Sequence, residues 1–260
     1  MRRRSLTELA SSPDLISGIY NYCDRWCERC PLTSRCLVFA TEQVDHNGSA
    51  ATHDLHNEAF WRKLNSILLD THGMIADWAR EAGIDLSNIP EEEVKTRKRR
   101  RQLVDNHPLA RAGKKYANAA SDWFREFDQV IEIADVCACD AGGDQSDELE
   151  DAREVIQWYQ YQIAVKLMRA LSCHDDGWED EPDLADFPKD SDGSAKVALI
   201  GIDRSMAAWR LVQLSLPARG ESIVPLMLQL ERLRRRVEKY FPEARDFVRP
   251  GFDEVLGAAN

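Results

Sequence analysis

Four cysteines fall within fourteen residues of the segment NYCDRWCERCPLTSRCLVF: Cys23, Cys27, Cys30 and Cys36, a C-x3-C-x2-C-x5-C pattern. Four thiolates suit tetrahedral zinc or the four corners of an iron–sulfur cube. Zinc sites usually pair two C-x2-4-C knuckles across a longer spacer, whereas this quartet holds one C-x2-C and almost no spacer. That difference favours a [4Fe–4S] cluster and leaves zinc as the alternative. Arg25, Arg29 and Arg35 sit among the thiols, where cations help to depress thiol pKa values and offset the negative charge of either site. A buried helical seam would show the same i, i+4, i+7 spacing, so core cysteines are the plain structural reading. Cys137, Cys139 and Cys173 lack a C-x-x-C spacing and read as core filling.

Two families resemble parts of this stretch. CDRWCERC resembles the C-x3-C-x2-C signature of radical SAM enzymes, but Arg29 stands where they usually carry an aromatic residue, and the strands of their barrel are absent. That class is set aside. CERCPLTSRC, with Cys27, Cys30 and Cys36, is similar to the C-x2-C-x5-C half of the iron–sulfur staple in RecB-like nucleases. The resemblance covers ten residues of 260 and implies a cluster, not a nuclease. Glu93 and Lys95 have an E-x-K spacing but sit at an expected helix start, as cap and surface residues.

Other candidates are fewer. His53 and His56, at i and i+3, could ligate a second metal, although ordinary hydrogen bonds at a helix start explain them equally simply. Asp203 and Arg204 interrupt the most apolar stretch of the chain, where charges must be paired. With Lys166 and Arg169 as partners, and Trp158 among the glutamines Gln157, Gln160 and Gln162, they outline a polar, aromatic pocket that an enzyme could use; a structural ion pair is the plainer account. No phosphate-binding Gly-rich loop, G-x-S-x-G, H-E-x-x-H or Glu-x-x-His is present.

The elements that must position these residues read as all-α. Proline is absent from 32–89, 109–181 and 189–216, and no segment alternates with period two. A first helix is expected from about Pro13 into the cysteines, which would place three thiols on one stripe, and a short second one from Thr33 to near Val44. Longer helices follow at 54–82, from Pro90 to about His107, from there to about Cys137, at 147–172, over KVALIGIDRSMAAWRLVQLSL and at about 221–240. In the 54–82 helix Phe60, Trp61, Leu64, Ile67, Leu68, Ile75 and Trp78 share one face, with Gly83 as the C-cap. The expected architecture is a cysteine module at 1–46 and a helical bundle at 47–260, with a long acidic loop at 173–195 that reads as a lid or a mobile connection.

The net charge of −11 is local. Residues 132–192 hold 18 carboxylates against four Lys or Arg, and residues 95–115 hold nine basic side chains against Asp105. Either stretch offers a protein partner a surface; the run Arg97 to Arg101 could bind nucleic acid but reads first as a solvated helix face. With 43% hydrophobic and 30% charged residues the composition is that of an ordinary globular protein. No run approaches the roughly 20 apolar residues of a membrane span, and no apolar stretch follows the basic start, so the expectation is no membrane and a cytoplasmic setting with reduced thiols. The functional expectation is an iron–sulfur or zinc protein, redox or cluster-stapled. A zinc-stapled adaptor and an enzyme with a pocket in the bundle are the alternatives.

Overall fold

The computed structural model describes residues 12–46, 57–86, 90–134, 143–176 and 189–253. Among the described residues the regular elements are all helical: α1 (Leu37–His46), α2 (Glu58–Glu81), α3 (Glu91–Asn106), α4 (Pro108–Ala134), α5 (Gly143–Asp176), α6 (Asp190–Ser215) and α7 (Gly220–Tyr240). No helix among the described residues is long and apolar enough to cross a membrane.

Local chemistry explains most boundaries. Asn57 caps α2 by accepting the Ala59 N–H at 3.0 Å. Gly83, at φ 68°, closes the same helix in a Schellman arrangement, with Gly83 N bonded to Arg80 O and Ile84 N to Ala79 O. Glu91, Glu92 and Glu93 stand in the first turn of α3, where the helix dipole favours carboxylates. Lys95 pairs with Glu91 and Glu92, so Glu93 and Lys95 belong to an exposed helix start. At α4 the imidazole of His107 is the cap: its Nδ1 accepts the Leu109 N–H at 3.2 Å.

The chain divides into two compact units, Met1–Ser17 with Arg29–Arg99, and Gly18–Glu28 with Arg100–Asn260. In the second unit α4 packs on α5, α5 on α6, α6 on α7 and α7 on α4, so the four helices close a ring around one core. α6 is the central member, with Ala195, Val197, Ala198, Leu199, Ile202, Trp209 and Val212 buried, as its nearly continuous apolar sequence required. The Trp209 indole donates to the Tyr116 hydroxyl at 2.9 Å, and its ring meets Trp123 and Phe124. Burial of Tyr116 pushes its pKa up to about 12. The first unit holds α1, α2 and the start of α3; among its described residues Ala79 alone of the apolar side chains is buried.

Two expectations need correction. The helix from Pro13 into the cysteines does not form: the segment runs through turns and three short 3-10 pieces, Ile19–Asn21, Cys27–Arg29 and Thr33–Arg35. Gly18 (φ 72°) and Arg25 (φ 59°) are left-handed, and the Trp26 N–H bonds the Asp24 carboxylate at 3.2 Å, a local bond that replaces the helical one. The acidic 173–195 segment is also less of a loop than its composition implies, because α5 continues to Asp176 and α6 begins at Asp190. Residues 177–188 lie outside the described residues.

Candidate functional site

The densest polar constellation of the second unit is built on Asp24, the residue after the first cysteine of the quartet. Asp24 belongs to the segment Gly18–Glu28, which lies on α5 and α6. α5 carries Trp158, Tyr159 and Gln162 on neighbouring turns, and α6 carries Arg204 opposite them. The Trp158 indole donates to the Asp24 backbone carbonyl at 2.9 Å, and the Gln162 amide donates to the same oxygen. The Tyr159 hydroxyl donates to Asp24 Oδ2 at 2.5 Å, and Arg204 Nη1 reaches that oxygen at 2.8 Å while also donating to the Tyr159 hydroxyl. With the Trp26 N–H on Oδ1, five donors converge on one residue. Burial, and then the facing Asp24 carboxylate, push the Tyr159 pKa well above the ordinary phenol range, so Tyr159 remains a donor at neutral pH.

Apolar contacts seat the same segment. Ile19 is buried, and the Trp26 ring stacks on Trp158 with centroids 5.0 Å apart and meets Tyr159 edge-on. Tyr22 lies against Phe247 at 4.7 Å, over the backbone of α6 at Gly193. A Cβ at position 193 would stand 2.4 Å from the Tyr22 ring, so only glycine admits this approach. The Tyr22 hydroxyl reaches Asp190, which also accepts from Arg169 at 2.8 Å and from the Cys173 thiol at 3.1 Å. Burial alone would raise the Asp190 pKa, but the donors Cys173, Arg169 and Tyr22 outweigh it and hold the carboxyl below its ordinary value.

The candidate residues are thus placed as follows. Trp158, Lys166 and Arg204 all meet the Gly18–Glu28 segment, Lys166 through a 3.3 Å bond to the Asn21 carbonyl. The surface read as an enzyme pocket is covered there by residues 21–26 of the same chain. Asp203 and Arg204 do not share partners: Asp203 faces Arg245 at 2.7 Å and Arg234 at 3.6 Å, and Arg169 serves Asp190. Lys166 is kept below its ordinary pKa by burial, beside the Cys23 thiol, which burial pushes up against the pull of Arg25 and Lys166. His53, His56, Cys137 and Cys139 lie outside the described residues.

Cys23, Cys27, Cys30, Cys36 and Cys173 stand outside any disulfide, each partly buried. Cys23 donates to the Tyr20 carbonyl at 3.5 Å, and Cys30 Sγ accepts the Leu32 N–H at 3.4 Å. Among the described residues no group of three or more His, Cys, Asp or Glu side chains is arranged to hold a metal ion. Arg97 to Arg101 are exposed along α3, and Lys114 pairs with Asp105 at 3.2 Å. Asp24 and Trp26, the centre of the constellation, were missed by sequence reasoning, because their helix partners lie more than 130 residues away. No protein-family model, curated protein or solved structure matches the chain.

Proposed function

We propose that the protein is a metalloprotein in which Cys23, Cys27, Cys30 and Cys36 hold a [4Fe–4S] cluster, with residues 18–28, which carry Cys23 and Cys27, held on the helical bundle through Asp24. The observation that carries the reading is the spacing of four thiols within fourteen residues. The local backbone is compatible with it. Short 3-10 turns and a left-handed Arg25 separate the cysteines, and the Leu32 N–H bonds Cys30 Sγ. Binding itself would gather the thiols, since metal sites of this kind commonly form together with their ion. A bound cluster would supply one-electron chemistry or a structural staple, while the chain's own residues hold the segment, keep Tyr159 protonated and stack Trp26 on Trp158.

Purification without oxygen tests the proposal. The expected protein is brown, absorbs near ~400 nm and contains about four irons. Cys30→Ser should lose colour and iron together and lower the melting temperature, because a structural metal contributes folding free energy. A colourless protein with one zinc would replace the cluster by a zinc staple on the same four thiols. Neither metal after anaerobic reconstitution would reject the four-thiol site.

A further inference from the structure

Arg111 and Lys115 stand one turn apart on α4, and Arg232, Arg236 and Lys239 follow one another along α7; all are exposed and hold no ion pair among the described residues. The carboxylates around them are taken: Asp105 by Lys114, Asp122 by Arg125, Glu231 by Arg234 and Arg235, and Glu238 by Arg245. In a chain of net charge −11, cations gathered without counter-charges form a local positive field that attracts an anion.

The packing of α4 on α7 brings the two sets together. The helices run antiparallel: the Trp123 indole donates to the Ser222 hydroxyl at 2.9 Å near one end, and the His107 ring meets the Tyr240 ring at 5.0 Å at the other. That register sets Arg111 level with Arg236 and Lys115 level with Arg232, within about one turn. At about 100° per residue, Arg236 and Arg232 turn outward from the line of contact by about 40° and 80°, and Lys115 and Arg111 by about 80° and 120°. Helices packed about 8–10 Å apart therefore carry two rows of cations along one seam. A hollow of about 470 Å³ opens over α4 there, lined by Arg111, Lys114, Lys115, Asn118, Ala119 and Asp122. The positive stretch is confined to one half of the seam, because Glu126 and Glu221 stand at the other end. Tyr240 closes the basic end: it is 37% exposed, and its ring is fixed by His107 and by His174 at 5.4 Å. Asp175 bears on both His107 and Tyr240, so an anion fits along the rows and an uncharged group fits at the ring.

We infer that the seam of α4 and α7 binds single-stranded nucleic acid, with phosphates on Arg111, Lys115, Arg232 and Arg236 and a base on Tyr240. Rows of cations that track a backbone beside an aromatic ring that takes a base are the two parts such a strand needs. Three of the five cations are Arg, whose planar fork meets a phosphate in two bonds. A duplex keeps its bases stacked within itself, and a chain of carboxylates offers Tyr240 no planar ring.

The experiment is fluorescence anisotropy of a labelled, mixed-sequence DNA strand of about 15 nucleotides, titrated with the full chain at several salt concentrations. Binding is expected, with log K falling against log salt at a slope of about −0.7 for each phosphate neutralised, or about −3 for four. Arg232→Glu together with Arg236→Glu should weaken binding at least ~10-fold and flatten the slope, with helix content by circular dichroism unchanged at these exposed positions. Tyr240→Leu should weaken it about 5-fold or more and leave the slope as it was, as loss of a stacked base does. Binding that survives the double substitution, as the run Arg97 to Arg101 would allow, overturns the inference. So does a duplex of the same sequence bound as tightly as the strand, indifference to Tyr240→Leu, equal competition by polyglutamate, or no binding at about 100 µM protein in about 50 mM salt.

Discussion

Asp24 illustrates how much one carboxylate can organise when donors surround it. Its side chain is about one-fifth exposed, so the bonds from Tyr159 and Arg204 form in a partly desolvated place, although Arg204 itself is half exposed and its share is screened. Asp24→Ala should free the Gly18–Glu28 segment at a loss of about 1–3 kcal/mol, the usual range for hydrogen bonds involving charge. The measurement is hydrogen exchange of residues 18–28, with exchange in the α6 core unchanged. Gly193→Ala tests the other anchor: a methyl group 2.4 Å from Tyr22 must displace that ring, and the expected destabilisation is about 1–3 kcal/mol, read from the urea midpoint. Neither anchor was legible in the sequence. Asp24 is one of 45 acidic residues, and nothing in its local pattern announces partners 135 and 180 residues away. What could be read was the other half of the contact, because Trp158, Gln162 and Arg204 stood out as polar or charged residues on helices that otherwise look buried.

At the scale of elements, periodicity and punctuation served well. Pro90, Gly83 and the apolar stripes brought α2, α3, α5 and α7 close to their observed limits, and the high hydrophobicity of 196–216, interrupted by Asp203 and Arg204, marked the central helix. The cysteine segment failed the same logic, because thiols at i, i+4 and i+7 mimic a helical stripe while Gly18, Asp24 and Arg25 favour turns. The His107 cap of α4 gives this scale its own prediction. Burial holds His107 below the ordinary histidine value of 6.5, although Asp175 pulls the other way, and the hydrogen bond from Leu109 needs an unprotonated Nδ1. The unfolded chain therefore takes up its proton first as pH falls. Stability from this cap is complete above pH 6.5 and is lost as pH falls below it, through the folded-state pKa. Urea unfolding at pH 5, 6, 7 and 8 should show the decline, and His107→Asn, which keeps a capping side chain without a titrating ring, should flatten it.

Across the whole molecule the two units differ in what sustains them. The ring of α4 to α7 has its own core, so truncating its centre should have a global effect: Trp209→Ala removes the largest fully buried side chain among the described residues and its bond to Tyr116, with an expected loss of about 3–5 kcal/mol. Thermal unfolding followed by far-UV circular dichroism measures it, and a loss near zero would mean that the ring tolerates a cavity at its middle.

The reach of the Asp24 contact also sets an order of events during synthesis. Asp24 and its cysteine neighbours are made early, yet Tyr159 follows 135 residues later and Arg204 180 residues later. At about 5–20 residues per second, the segment waits roughly 10–40 s for the last of its partners to be made. Throughout that interval residues 18–28 have no bundle to rest on. Docking of the segment therefore waits for α5 and α6, and its fixed conformation is a late event in the making of the second unit.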